Sequence, residues 1–235
     1  MALGFVQGTF ANSTGAGTVL TKAFASNVTA GNLLFAVLQM PSNTGFTVTF
    51  TDNMAGNSWS ASTNSTSASI WRSEVIATSS AAVTITATAS SSVSFMELYI
   101  GEFNIGGHAL SRDVNDVVGS DAGTTLTSAA ITTTASPEVL ICFYGNNGSL
   151  TGLTAGWTQN VYDSPNGNGY ASSVQTTNNT YTLTATQPAG GDSNVSWSYK
   201  ATTSGATPVN ATLSATGKSV FSHGGRLLNN ATVSI

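Results

Sequence analysis

Apolar and polar positions alternate with period two along most of the chain. Phe46, Val48 and Phe50 alternate with Thr47 and Thr49, and Val83 and Ile85 with Thr84 and Thr86. Tyr181 and Leu183 alternate with Thr182 and Thr184, and Val195, Trp197 and Tyr199 with Ser196 and Ser198. One apolar face and one hydroxyl face is the pattern of a half-buried antiparallel strand, and the stiff β-branched threonine favours the pleated backbone. Turn clusters separate the runs: NMAGN at 53–57, NNG at 146–148, SPNGNG at 164–169 and PAGGD at 188–192. No stretch carries a capped 3.6-residue apolar period. The pattern predicts a dozen or more strands, no helix, and an all-β antiparallel β-sandwich of jelly-roll-like type.

The pattern also repeats. TVLTKAFASNVTAGNLLFAV (18–37) aligns without a gap to TTLTSAAITTTASPEVLICF (124–143), so that Thr18, Leu20, Thr21, Ala23 and Leu34 recur as Thr124, Leu126, Thr127, Ala129 and Leu140. Ala2-Leu3 matches Ala109-Leu110, the Trp59 segment matches the Trp157 segment, TITAT (84–88) matches TLTAT (182–186), and VSF (93–95) matches VSW (195–197), all in the same order. Each half reads as strand, turn, buried strand, Trp-bearing loop and two alternating strands. The link near Asn104–Asp121 is short and lacks linker composition, so the expectation is two pseudo-symmetric halves, about 1–106 and 107–217, sharing one core. Residues 218–235 lie outside the repeat and are expected to form an extra strand or an arm.

Some of these segments resemble a known module. TAGNLLFAVLQ (29–39), TDNMAGNSW (51–59), the strand ending in GEFNIGG (101–107) and GWTQ (156–159) are similar to a β-sandwich module of bacterial surface proteins and phage virion structural proteins. That module carries a TAGDLL-type strand, a GNTW or GWT turn and an EYSG-type strand end; here Asn32 stands where Asp is usual, and GEFNIGG replaces EYSG. The likeness covers about residues 30–210, implies a non-catalytic module and names no ligand.

Composition sharpens the picture. Only 7% of the 235 residues are charged, six basic and ten acidic for a formal net charge of −4, against about 25% in an average domain. About three residues in ten are Ser or Thr. There is no basic patch to hold phosphates, so nucleic acid is not an expected partner. The longest apolar run, Leu33–Met40, is interrupted by Gln39 and too short to span a bilayer. The N-terminal segment MALGFVQGTFANSTG has neither a basic region nor an apolar stretch of secretory type, which predicts synthesis in the cytosol. Asn-x-Ser/Thr triplets at Asn12, Asn27, Asn64 and Asn147 are what this composition yields by chance. The single cysteine, Cys142 in VLICF, makes no internal disulfide and reads as a small core hydrophobe.

Candidate chemistry is sparse. His108 and His223 lack the paired spacing of a metal site, and no GxSxG elbow marks a nucleophile. In MELYIGEF (96–103), Glu97 and Glu102 have the outer spacing of the Glu-x-Asp-x-x-Glu strand of laminarinase-type glycosidases, but Tyr99 stands in place of the Asp. That pair shares a face only if a bulge intervenes; otherwise residues five apart point opposite ways. Asp113, Asn115, Asp116 and Asp121, and separately Asp163, Asn166 and Asn168, are acceptor clusters without EF-hand spacing, and loop Asp and Asn ordinarily serve turns. No catalytic residue, cofactor or metal is assigned. Trp59 and Trp157 are the candidate aromatics, for packing under loops or for stacking on sugar rings.

Edge protection decides the functional expectation. Natural sheets blunt their edges with charge, lysine above all, or proline; this chain has three lysines and five prolines for all its strands. Neighbouring subunits are the remaining cover, and a hydroxyl-rich surface packs on copies of itself without desolvating ions. The expectation is a homo-oligomeric virion protein of a phage, a capsid decoration (cement) protein or a tail or fibre component, with itself and a capsid or tail protein as partners and no membrane. The alternative is an extracellular cell-surface or filament module for carbohydrate binding or adhesion; the laminarinase-like hydrolase is third.

Overall fold

In the computed structural model, residues 3–41, 45–64, 69–106, 109–145, 148–188 and 193–202 are described. They hold eighteen strands and no helix, and every pairing is antiparallel. The strands build four stacked layers. The first is β2 (Gly17–Ala23), β7 (Thr84–Val93) and β4 (Val48–Asp52), in that order. The second runs β1 (Gly4–Asn12), β8 (Glu97–Asn104), β3 (Leu33–Gln39), β6 (Ile70–Ile76) and β5 (Thr63–Asn64). The third runs β14 (Trp157–Asp163), β15 (Asn168–Gln175), β13 (Glu138–Gly145) and β18 (Ser193–Thr202), with β9 (Ala109–Arg112) and β10 (Val117–Ala122) both on the far edge of β18. The fourth holds β11 (Thr125–Thr127) with β17 (Thr184–Thr186), and β12 (Ile131–Thr132) with β16 (Thr180–Tyr181).

Three apolar cores separate the layers, and strand parity assigns each residue to one of them. Leu34, Ala36 and Leu38 of β3 face Val48, Phe50, Ile85 and Ala87 of the first layer. Leu33, Phe35 and Val37 of the same strand face Ile141, Phe143, Tyr170 and Trp197 of the third layer. Leu140, Cys142 and Tyr144 of β13 turn the other way, onto Leu126, Ile131, Leu183 and Ala185. This is why 33–38 and 139–143 read as unbroken apolar runs: both faces of those strands are buried. The alternating strands β4, β7 and β17 are the outer layers, with threonine toward solvent.

Pairing order is the same in the two halves. β3 lies between β6 and β8, and β13 between β15 and β18. Leu20 sits opposite Ala87, and Leu126 opposite Ala185. These are the positions the sequence repeat aligns. The halves share a central core and each closes an outer one. β10 passes from the third layer to the fourth, pairing through Gly119 with β18 and from Ser120 with β11. A Cβ at Gly119 would lie 2.2 Å from Asn194 Oδ1 and 2.6 Å from the Thr127 carbonyl, so this corner accepts only glycine. Met1–Ser204 form one compact unit. The expected boundary at 217/218, the arm at 218–235, His108 and His223 lie outside the described residues.

Candidate functional site

Among the described residues, Arg72, Glu74, Glu97, Glu102, Glu138 and Asp163 are buried charged groups. Arg72 and Glu74 lie on the face of β6 that looks toward the second half. Arg72 Nε donates to Asp116, its Nη1 lies 3.4 Å from the Tyr199 hydroxyl, and its guanidinium stacks 5.0 Å from the Trp197 ring. Tyr199 donates to Glu74 Oε2 at 2.8 Å, and Arg112 grips Glu74 with Nε at 2.6 Å and Nη2 at 2.9 Å. Arg72 and Glu74 come from one half, Arg112, Asp116, Trp197 and Tyr199 from the other. Burial works against the charge on Arg72, but Tyr199, Asp116 and Glu74 hold its pKa above the ordinary arginine value. The cluster is a cross-link between halves rather than a solvent-open site.

Glu97 and Glu102 point to opposite faces of β8. Glu102 is fully buried and accepts from Gln7 Nε2 at 2.7 Å, the Thr29 amide at 2.8 Å and Asn32 Nδ2 at 2.6 Å. Asn32 supplies a donor that an ionised aspartate lacks, which accounts for the amide at that position. Glu97 faces the third layer and accepts from Asn168 Nδ2, with the Tyr99 hydroxyl 3.4 Å away. The bulge that would align two carboxylates on one face is absent, since β8 pairs with β3 in continuous register from Glu97 to Phe103. Glu97 and Glu102 therefore lack the geometry of a retaining glycosidase pair.

The acidic cluster 113–121 disperses. Asp116 goes to Arg72, Asn115 is exposed, and the Asp121 side chain is outside the described residues. Asp113 accepts from the Thr134 amide at 2.7 Å and from Lys200 at 3.3 Å. It also meets Glu138, which the Ala135 amide and the Ser198 hydroxyl approach as donors; a proton on Glu138 closes the pair with Asp113. Burial, and then the hydrogen bond to Asp113, push the Glu138 pKa up to about 7. Burial opposes the charged form of Asp113, but hydrogen bonds from Glu138, Thr134 and Lys200 outweigh it and hold its pKa at about 2. A carboxyl raised in the fold favours the folded state while protonated, so its contribution is complete below the ordinary value of 4.5 and is lost as pH rises toward about 7. Glu138→Gln keeps a donor without the titration. Its unfolding free energy is expected to fall less than that of the parent protein between pH 5 and pH 8, by roughly 1–3 kcal/mol. Urea unfolding at both pH values checks this; parallel losses in the two proteins contradict it.

Trp59 and Trp157 are both built into cores. Trp59 is half-buried, stacks on Phe50 at 6.2 Å and donates to Asp52 Oδ2 at 2.8 Å. Asp52 also accepts from Asn57 Nδ2 and the Met54 amide, each at 2.7 Å, so TDNMAGNSW is a turn wound around one carboxylate. Trp157 is buried in the outer core of the second half.

The 163–168 cluster behaves differently. It converges with residues from the first half on an open cleft of about 330 Å³, lined by Asn12, Gln39, Glu97, Asn166 and Asn168 with Phe95 at its rim. Asn12, Glu97 and Gln39 sit opposite one another across β1, β8 and β3, forming one row on one face. Across the layer gap, Asp163 and Asn168 pair at the ends of β14 and β15. The intervening turn carries Gly167 at φ 73°, a conformation glycine tolerates. Asp163 Oδ2 accepts from Asn12 Nδ2 and Asn166 Nδ2, both at 2.7 Å. Sequence spacing marks 163–168, but nothing local to it announces Asn12, Gln39 and Glu97, which arrive by strand register. Among the described residues no three His, Cys, Asp or Glu side chains gather as a metal group.

No protein-family model, curated protein sequence or solved structure matches the chain.

Proposed function

We propose that the chain is a non-enzymatic structural subunit of a bacteriophage virion, a capsid decoration protein or a tail or fibre component, that packs against copies of itself and a capsid or tail protein. The observation that carries this reading is the edge strand β1. It is nine residues long, contains no charged residue or proline, and among the described strands pairs only with β8. Val6 on it is 47% exposed and Phe5 37%. Among the described residues that edge is interrupted only by the irregularity between Phe5 and Gln7 and by the Ser26 backbone, which exchanges two hydrogen bonds with the Gln7 side chain. Among the described residues, Arg72, Glu74, Glu97 and Glu102 are buried and Arg112, Asp113, Asp116 and Lys200 are held in ion pairs, so few free charges there keep neighbours away from such an edge.

The carbohydrate-binding surface module is the weaker alternative, because Trp157 is buried in a core and the half-buried Trp59 is stacked on Phe50 and bonded to Asp52. The glycosidase reading loses its carboxylate pair to opposite faces of β8. Val6→Lys places a charge on the β1 edge and is expected to weaken self-association at least about tenfold in light scattering. Unchanged association would move the contact away from β1. Capsid, portal or tail genes are expected beside the coding sequence; a secretion locus in their place would favour the surface module.

A further inference from the structure

We infer that the cleft between the end of β8 and the β14–β15 turn binds a divalent cation, calcium by its chemistry. Three buried side-chain oxygens at this place have no hydrogen-bond partner: Asn12 Oδ1 and Gln39 Oε1 of the cleft lining, and Asp163 Oδ1, whose side chain lies directly behind that lining against Asn12 and Asn166. Asp163 is 0% exposed, and its other oxygen is held by Asn12 and Asn166, two residues of the cleft lining. The Glu97 carboxylate stands in the same row as Asn12 and Gln39. All four are oxygen donors, two carboxylates and two amides, and among the described residues neither carboxylate has an ion pair.

Two buried carboxylates facing unsatisfied acceptors are costly unless a positive charge sits among them. The ligand set selects the ion. Carboxylate and amide oxygens in an irregular arrangement suit calcium, which takes six to eight oxygens at flexible angles. Magnesium needs a near-octahedral shell and holds its waters. The cleft opens to solvent, which gives the ion an entry path and leaves room for water as further ligands. This inference is independent of the virion reading, because a cation at this place ties β1, β8 and β3 to the β14–β15 turn in any setting.

Calorimetric titration of CaCl2 into the chelator-stripped full chain tests it, with thermal unfolding in parallel. One site is expected, with a Kd in the micromolar to millimolar range, and a Tm that rises with calcium and falls back on chelation. Gln39→Leu removes one ligand oxygen from a side chain that makes no hydrogen bond in the fold. It is expected to weaken calcium binding about tenfold or more without lowering the Tm of the chelated protein. Asp163→Asn is expected to abolish the calcium response. No heat and no Tm shift at about 10 mM CaCl2 would overturn the site and leave buried water as the partner of those oxygens. A response that both variants retain would place calcium elsewhere, and an equal or larger response to magnesium would overturn the assignment of the ion.

Discussion

Arg72→Ala is expected to lower the unfolding free energy by about 3–5 kcal/mol, the cost of removing one partner from a buried charge network. The side chain is 2% exposed, and its loss leaves Asp116 without its ion pair and Glu74 with Arg112 alone. It also strips the guanidinium from the face of Trp197 and opens a cavity in the central core. Two controls separate these effects. Arg72→Met keeps most of the stem volume and loses only the charge, so it is expected to recover part of the packing loss. Arg72→Met combined with Asp116→Asn removes the stranded carboxylate and is expected to recover more, so that the two changes are strongly non-additive. Because the partners come from different halves, the destabilisation should appear as one cooperative transition at lower urea. A loss below about 1 kcal/mol would place the network in the screened, surface class of ion pairs.

Gly101→Ala is expected to cost about 3 kcal/mol or more, at the upper end of overpacking effects. A Cβ there would lie 2.2 Å from Phe35 Cε1, 2.7 Å from Phe35 Cζ and 2.7 Å from the Tyr170 hydroxyl. Gly8, opposite Gly101 across β1 and β8, is equally closed: its Cβ would lie 2.1 Å from the same hydroxyl and 3.0 Å from the Ile100 carbonyl. The glycine pair makes the notch into which Tyr170 reaches across the central core to donate to the Ile100 carbonyl at 3.2 Å. Burial raises the Tyr170 pKa, so the phenol stays protonated and keeps that bond. Tyr170→Phe is expected to rescue Gly8→Ala in part, because the hydroxyl is the nearest obstacle there. It should help Gly101→Ala less, because the Phe35 ring remains. Denaturant unfolding of the single and double variants measures both; equal rescue at the two positions would contradict this geometry.

How far the fold is legible in the sequence depends on which layer a strand occupies. β4, β7 and β17 announce themselves because one face carries hydroxyls toward solvent; β18 shows the same alternation, but Ser196 and Ser198 are buried, so its reading as a half-buried strand is corrected. Leu20 and Leu126, aligned by the repeat, lie on the outer-layer strands β2 and β11. The stacking of the halves is less visible. Sequence reading places one shared core between them, and the structure has three, because an unbroken apolar run such as 139–143 does not say what covers each face. The candidate site follows the same rule. Asp163, Asn166 and Asn168 are conspicuous in one turn, whereas Asn12, Gln39 and Glu97 join them through the register of three strands distant in the chain. Arg72, Glu74, Arg112 and Asp116 are separated by up to 44 positions and read singly as ordinary surface charge. Trp59 and Trp157, aligned by the repeat, differ in setting: one is tied to Asp52 in a turn, the other opens β14 inside a core.

Low charge thus has a structural meaning. Among the described residues most charges are buried or half-buried and tied to polar partners, and the exposed side chains include hydroxyls, amides and a few apolar groups such as Val6 and Val19. Association of such surfaces requires little ion desolvation and is only weakly screened by salt.

Sedimentation velocity of the full chain over a wide concentration range, at low and at about 1 M salt, tests this most directly. The predicted result is a mass that grows with concentration beyond one chain and changes little with salt. A single 23.8 kDa species at every concentration and both salt levels would contradict the account of a building block whose edges are covered by its neighbours.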